Sequence, residues 1–391
     1  MLEDFLGPAA AERRRSSVFS DHVDGFCTHL EHLGYSHATI HWKLWVADLL
    51  ARWMTEKRIS IVDLDERLIE AFLRWRRRRG RAYRGYRRPL LDLVERLRAV
   101  DVVPAAELCE DDPPAAALLA RYSAYLRHER GITEGTIAAY QSYVRAFVVD
   151  RLNCGNGRPD ALAASDVREF LLARARSVCP KRAQFLASAL RSFLRFLFLR
   201  GETATDLSHA VPTVRQWRLS SVPRYLPAED VQRLLQSCDL SSATGRRDHA
   251  ILLVLARLGL RASEVIALEL DDLHWRTGEI VVRGKGLVRD RLPILPDVGE
   301  ALASYLKKDR PPCSSRRVFL CRRAPLRGIS HPSTVSTIVA RALGRAGLKP
   351  ARRGAHLLRH SLATTMVRRG ASLAEIGQVL RHRSPNTTEI Y

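Results

Sequence analysis

The chain has 391 residues, 46% of them hydrophobic and 27% charged, with 64 Lys and Arg against 42 Asp and Glu and a formal net charge of +22. At roughly 100–200 residues per domain this is two to four domains, and the ordinary hydrophobic fraction excludes a disordered basic tail as the source of the charge. Apolar runs such as Ala250–Ala256, the longest, and Phe196–Leu199 fall far short of the ~18–20 residues of a membrane span, so the expected partner is a polyanion and not a bilayer.

The stretch Met1–Arg15 places Glu3, Asp4 and Glu12 where a signal peptide carries positive charge and has no apolar segment behind them. A cytoplasmic, nucleoid-associated protein is expected. The seven cysteines are scattered, which points to neither a disulfide framework nor a zinc site.

The periodicity is helical to about residue 270, with Pro and Gly dividing the chain into blocks. The expected organisation is an N-terminal helical domain over 1–104, a second helical domain over 114–208, a linker over 209–224 and a third domain over 225–391. Gly34-Tyr-Ser-His-Ala-Thr-Ile40 resembles Gly131-Ile-Thr-Glu-Gly-Thr-Ile137. Each opens an apolar stripe, Trp42, Trp45, Val46, Leu49 and Leu50 in the first and Tyr140, Tyr143, Val144, Phe147 and Val148 in the second, which suggests duplicated helical bundles.

Late in the first block, Arg74–Arg88 holds nine arginines and three aromatics in fifteen residues with no acid. Such a stretch suits phosphate contact and stacking, with Arg74, Arg76, Arg77, Arg78 and Arg79 as candidate DNA-binding residues, or else it is a solvated helix end. In the second block a helix over Phe185–Leu199 can bury one face while Arg191 and Arg195 on the other address DNA. The linker carries two prolines and no helical stripe.

In the third block a helix starts at Pro227 and runs to about Cys238, and another spans Asp248 to Leu258 and stops at Gly259. Arg261 then opens a short helix beside Glu264. Leu273–Trp275, Glu279–Arg283 and Arg289–Leu295 alternate as three short antiparallel strands, with Lys285 in the second hairpin turn between two glycines. Ala355 begins a helix that puts His356 and Arg359 on one face, and Ser372-Leu-Ala-Glu375 is a capping box for a further helix to Leu380.

Gly-Leu-Arg-Ala-Ser-Glu264, Arg-Gly-Lys-Gly286, His-Leu-Leu-Arg-His360, Leu-Arg-His382 and Thr-Thr-Glu-Ile-Tyr391, in this order and spacing, resemble the active-site boxes of the tyrosine recombinases, the lambda-integrase family. The resemblance spans 225–391 and, more loosely, 114–205, where it implies the SAM-like core-binding bundle of that family. It implies a mostly α fold, with helical core-binding bundles ahead of an α+β catalytic domain carrying a small antiparallel sheet. The implied active-site residues are Arg261, Lys285, His356, Arg359, His382 and the nucleophile Tyr391. The implied partners are double-stranded DNA at a specific recombination site, three further copies of the chain in a homo-tetramer, and accessory DNA-binding proteins. Arg381 stands where the family often has Gly, which puts a bulky cation beside the phosphate approach.

The residue types support this chemistry without the family. Two arginines, a lysine, two histidines and a tyrosine with no Asp/Glu cluster suit phosphate activation by fixed cations, with no metal and no cofactor expected. Arg261 and Arg359 would donate to the nonbridging oxygens and His382 would add a third donor. Tyr391 would attack phosphorus with help from the arginines or the neighbouring His356, and Lys285 would protonate the departing 5′-oxygen. The expected reaction is cutting and rejoining of DNA strands through a 3′-phosphotyrosine. The alternatives are a type IB topoisomerase-like nicking and resealing enzyme, and a catalytically impaired DNA-binding protein. Because the sequence stops at Tyr391, a frayed hydroxyl and an adjacent α-carboxylate are further expectations, with slow cleavage and poor synapsis as their consequence.

Overall fold

The computed structural model describes residues 18–80, 84–104, 114–152, 159–176, 178–214, 224–284 and 289–391. The chain divides into two compact units, Ala106–Ser220 and the combination of Met1–Ala105 with Ser221–Tyr391.

Among the described residues the N-terminal part of the larger unit has four α-helices, α1 (Ser20–His32), α2 (His37–Lys57), α3 (Glu66–Arg78) and α4 (Arg87–Arg98). They close around Phe26, Leu30, Ile40, Leu50, Phe72 and Leu93, all almost fully buried. Asp65 caps α3 by accepting from the Leu68 N–H at 2.7 Å, and the basic end of this helix complements its dipole. Arg98 of α4 grips Glu66 with two bonds of 2.6 and 2.8 Å, tying α4 to the start of α3. The Leu326 N–H donates to the Leu33 carbonyl at 2.7 Å, joining this bundle to the C-terminal part of its unit.

The described residues of the smaller unit also form four α-helices: α5 (Pro114–His128), α6 (Glu134–Arg151), α7 (Ala164–Ala175) and α8 (Pro180–Leu199). Its core is aromatic, with Phe147 edge-on to Phe170 at 5.1 Å and Tyr122 edge-on to Phe193 at 5.2 Å. Helix α8 begins earlier than Phe185, because Pro180 sits in its first turn where no backbone donor is needed. Leu207 and Val211 are buried in this core. The first residues of the expected linker therefore pack on the bundle, where His209 and Ala210 close a short 3₁₀ turn, while 215–223 lie outside the described residues.

The two bundles match at a constant offset of 97 residues, 131 − 34. Gly34 and Gly131 both take left-handed φ, 75° and 60°, at the turn between the first two helices. The hydroxyls of Ser36 and Thr39 meet at 2.9 Å, and those of Thr133 and Thr136 at 3.1 Å. The buried positions coincide at the same offset: Ile40 with Ile137, Ala47 with Val144, Leu50 with Phe147 and Ala51 with Val148. The expected stripe in α2 is thus one residue out of register, and Trp45 on it is 39% exposed. Its aromatic residues misled the reading, because large side chains such as Trp cover a bundle's flank as readily as its centre.

The C-terminal part of the larger unit has helices α9 (Ala228–Gln236), α10 (Ala243–Arg257) and α11 (Ala262–Ala267), a sheet of β1 (Leu273–His274), β2 (Glu279–Arg283) and β3 (Arg289–Pro293), then α12 (Pro296–Lys308), α13 (Pro332–Arg345), α14 (Ala355–Arg368) and α15 (Leu373–Leu380). The sheet is antiparallel in the order β1-β2-β3, with Ile280 opposite Leu292. The run Ala250–Ala256 is the centre of α10, buried on all sides among α12, α14 and the sheet. This helix starts at Ala243, ahead of Asp248, because Ser242 accepts from the Gly245 N–H at 3.0 Å. A Cβ on Gly245 would lie 1.8 Å from the Asp239 carbonyl oxygen, so this glycine is required by close backbone approach. Among the described residues no helix is long and apolar enough to cross a membrane.

Candidate active site

Three helix ends meet around Arg359. This residue lies on α14, is 4% exposed, and donates to the Gly259 carbonyl behind α10 and to the Leu380 carbonyl ending α15. The Leu380 carbonyl is an orphaned helix-terminal acceptor and the Gly259 carbonyl lies just past the end of α10, and a planar guanidinium can hold both and keep other donors for a ligand. Burial, with the nearby charges of Arg261 and Arg381, pushes Arg359 down to about 10, which leaves it charged at neutral pH.

Arg261 occupies the N-cap of α11 with extended backbone, φ −78° and ψ 152°. Glu264 fixes it twice: one carboxylate oxygen accepts from the Arg261 N–H at 2.8 Å and the other from its guanidinium at 2.6 Å. The same carboxylate receives Arg381 at 2.8 Å. Burial works to raise the Glu264 carboxyl, but the Arg261 backbone N–H and the Arg381 charge outweigh it and the net direction is down. The buried anion therefore holds two cations apart in fixed directions.

Arg381 is the C-cap of α15 in left-handed conformation, φ 55° and ψ 50°. The family's frequent Gly fits that conformation, and here an arginine bears the strain. Its side chain turns to Glu264, so the expected intrusion on the phosphate approach is corrected: the cation is spent on a buried ion pair.

His382 follows, its Nδ1 2.8 Å from the Thr388 hydroxyl, while Thr388 is buried at 1% exposure. Burial and the charges of Arg359, Arg261 and Arg381 push His382 down to about 4, so it is a neutral imidazole at pH 7.

Tyr391 packs its ring against the small cluster of Ala363, Ile376 and Leu380. Its hydroxyl lies 2.6 Å from His360 Nδ1. Burial raises the phenol, while Arg359 and Arg261 pull it the other way. The expectation of a wandering hydroxyl is corrected by this packing and by the Tyr391 N–H donating to the Thr388 carbonyl at 3.1 Å.

Of the expected catalytic set, Arg261, Arg359, His382 and Tyr391 come together electrostatically, and Lys285 lies outside the described residues. His356 is exposed at the start of α14, its ring 6.3 Å from that of His360. The hydroxyl's neighbour is therefore His360, one residue past Arg359, which the sequence analysis did not single out. Glu264 and Thr388 were likewise not read as site residues.

The candidate DNA-binding arginines differ in their surroundings. Arg74, Arg77, Arg78 and Arg79 are exposed at the end of α3, and no carboxylate pairs with them among the described residues. Arg79 lies over the Trp75 ring at 4.3 Å and Arg76 over Tyr86 at 5.3 Å. On α8, Arg195 is exposed, whereas Arg191 donates to the Val211 carbonyl at 3.0 Å and so braces its own bundle.

The phage integrase family profile matches residues 224–391, and the profile of the phage integrase N-terminal SAM-like domain matches 119–201. An integrase/recombinase of Sinorhizobium fredii, y4rA, is 41% identical over 360 residues, covering 92% of this chain and 87% of its own. The tyrosine recombinase XerD of Listeria innocua is 31% identical over 273 residues, covering 68% of this chain and 90% of its own. A lambda integrase tetramer bound to a Holliday junction has a similar fold, with TM-score 0.52 and 17% identity over 75% of this chain and 88% of that one.

The fold and the similarities define a DNA strand-transfer enzyme. The chain belongs to the phage integrase family of tyrosine recombinases and is a site-specific DNA recombinase.

Proposed function

We propose that the chain cuts and rejoins double-stranded DNA at a defined site through a 3′-phosphotyrosine on Tyr391, acting as a homo-tetramer on nucleoid DNA. The observation that carries this reading is the seating of the Tyr391 hydroxyl, 2.6 Å from His360 and within the field of Arg359 and Arg261. Arg261 and Arg359 take the nonbridging oxygens, where negative charge builds in the transition state, and His382 adds a donor. His356, exposed at the start of α14, is the further histidine available to the incoming phosphate, and Lys285 supplies the proton to the departing 5′-oxygen. The tetramer follows the lambda integrase assembly of the same fold.

The exposed arginines closing α3 extend the DNA contact over the N-terminal bundle, and Arg195 does so from α8. The hydrophobic cores over 19–103, 118–211 and 226–358 each serve as the centre of one structural domain.

The reading is tested with supercoiled plasmid carrying the DNA that flanks the chain's own coding sequence. Linking of two sites together with a covalent protein–DNA adduct supports it. Relaxation without any linking would favour the topoisomerase-like alternative, and retention of DNA with neither product would favour a binding protein.

A further inference from the structure

The group that touches the nucleophile is a histidine to which neither the family boxes nor the electrostatic cluster gives a role. His360 Nδ1 lies 2.6 Å from the Tyr391 hydroxyl across a separation of 31 residues, and the two rings are 5.4 Å apart. The contact is held from both ends. Arg359, the preceding residue, clamps α14 to the ends of α10 and α15, and the tyrosine ring is seated on Ala363, Ile376 and Leu380. We propose that His360 Nδ1 accepts the Tyr391 proton as the phosphotyrosine forms and returns it when that bond is resolved.

The step balances as follows. The Oη–H bond breaks and its proton passes to Nδ1 while Oη bonds to phosphorus. The P–O5′ bond breaks, and the electron pair leaves on the 5′-oxygen, which is protonated by the acid assigned above to Lys285. In resolution an incoming 5′-hydroxyl gives its proton back to that same group, now neutral, as its oxygen bonds to phosphorus; the P–Oη bond breaks, and the imidazolium returns its proton to the departing Oη. Neutral imidazole is the form required, and burial together with the charges of His356, Arg359 and Arg352 keeps His360 in it, down to about 4. The phenol is kept protonated by burial, so the proton to be moved is present in the resting state. A bound phosphodiester anion offsets the surrounding cations and raises the basicity of the imidazole when the transfer is needed.

The inference rests on the phosphotyrosine reading, and the experiment separates the two. The full chain is reacted with the plasmid described above, the cleavage position is mapped, and single-turnover adduct formation is then followed on a synthetic duplex of that site. His360→Asn, whose side-chain amide can still bond the hydroxyl but cannot take its proton, and His360→Ala are each expected to slow adduct formation by roughly 10²–10⁴ with DNA retention unchanged. Replacing the bridging 5′-oxygen by sulfur makes the leaving group independent of an acid. It is expected to leave both variants slow, because their defect lies in the attack. In wild-type chain carrying ¹⁵N-histidine, a reading that needs no variant, His360 is expected to show an unprotonated, hydrogen-bonded Nδ1.

Adduct formation at the wild-type rate by either variant, restoration of that rate by the sulfur duplex, or a protonated Nδ1 would overturn the proposal. If wild-type protein retains the DNA but forms no adduct, the phosphotyrosine reading itself fails and the proton transfer falls with it.

Discussion

Arg381 reaches Glu264 at 2.8 Å from a left-handed C-cap, and both side chains are 5% or less exposed. The pair joins the end of α15 to the start of α11, so the same carboxylate that orients Arg261 also seats the turn leading to His382. Removing one member of a buried pair costs about 3–5 kcal/mol because the survivor is left uncompensated. Arg381→Ala is therefore expected to lower unfolding free energy by that amount in urea titrations. Arg381→Gly is expected to lose about 1 kcal/mol less, because glycine relieves the left-handed strain. Equal losses for the two variants would contradict the strain assignment.

Arg359 does two things that lysine cannot combine. Its guanidinium donates to Gly259 and Leu380 carbonyls in fixed directions while keeping further donors for phosphate. Arg359→Lys is expected to cut adduct formation by about 10²–10³, the usual cost of one transition-state donor, with DNA retention little changed. Arg261→Ala should fall in the same range. Near-normal rates in both would assign these residues to structure alone.

Two half-buried imidazoles set a pH dependence of stability. His360 and His382 are each pushed from an ordinary 6.5 down to about 4, so between those limits the unfolded chain binds protons that the native one refuses. Stability from these groups is present above pH 6.5 and is lost as pH falls toward 4. After allowance for solvent screening the two together contribute about 3–5 kcal/mol. Denaturant midpoints at pH 7.5 and 4.5 should show wild type losing that much more than a His360→Asn/His382→Asn double variant. Identical losses would contradict the assignment.

The arginines closing α3 separate a DNA surface from a merely soluble one. Arg74, Arg77 and Arg78 have no carboxylate partners among the described residues, so replacing them with Gln should leave thermal stability within about 0.5 kcal/mol. If they meet phosphates, the log–log salt slope of DNA binding falls by roughly 3 × 0.9. An unchanged slope would assign these residues to solvation.

Much of the site was legible because short motifs report local geometry. The Ser372 capping box, the Gly259–Arg261 junction and the alternation of β3 are local signals, and each element stands where they point, whereas β2 buries Ile280, Val281 and Val282 in succession. The start of α10 was hidden because Ser241-Ser-Ala-Thr-Gly245 carries loop-type residues, although Ser242 proves to be its cap. Helices α12 and α13 passed unread, yet each opens with proline in its first turn, a signal available in Pro296 and Pro332. The role of His360 could not be read locally, since its partner is brought by packing of the chain's last residues onto α14. The direction of Arg381 was equally hidden, because it follows from a cap conformation that glycine would have signalled and arginine does not.

The measurement that bears most directly on the account is the chemical identity of the protein–DNA linkage. Wild-type chain is trapped on its cleaved duplex in denaturant, digested with protease and nuclease, and read by tandem mass spectrometry. The expected product is a peptide containing Tyr391 that carries a nucleotide through its 3′-phosphate, with a free 5′-hydroxyl on the other DNA fragment and no such peptide from Tyr391→Phe. A linkage on another residue, a 5′-phosphate linkage, or an adduct formed by the phenylalanine variant would contradict the account.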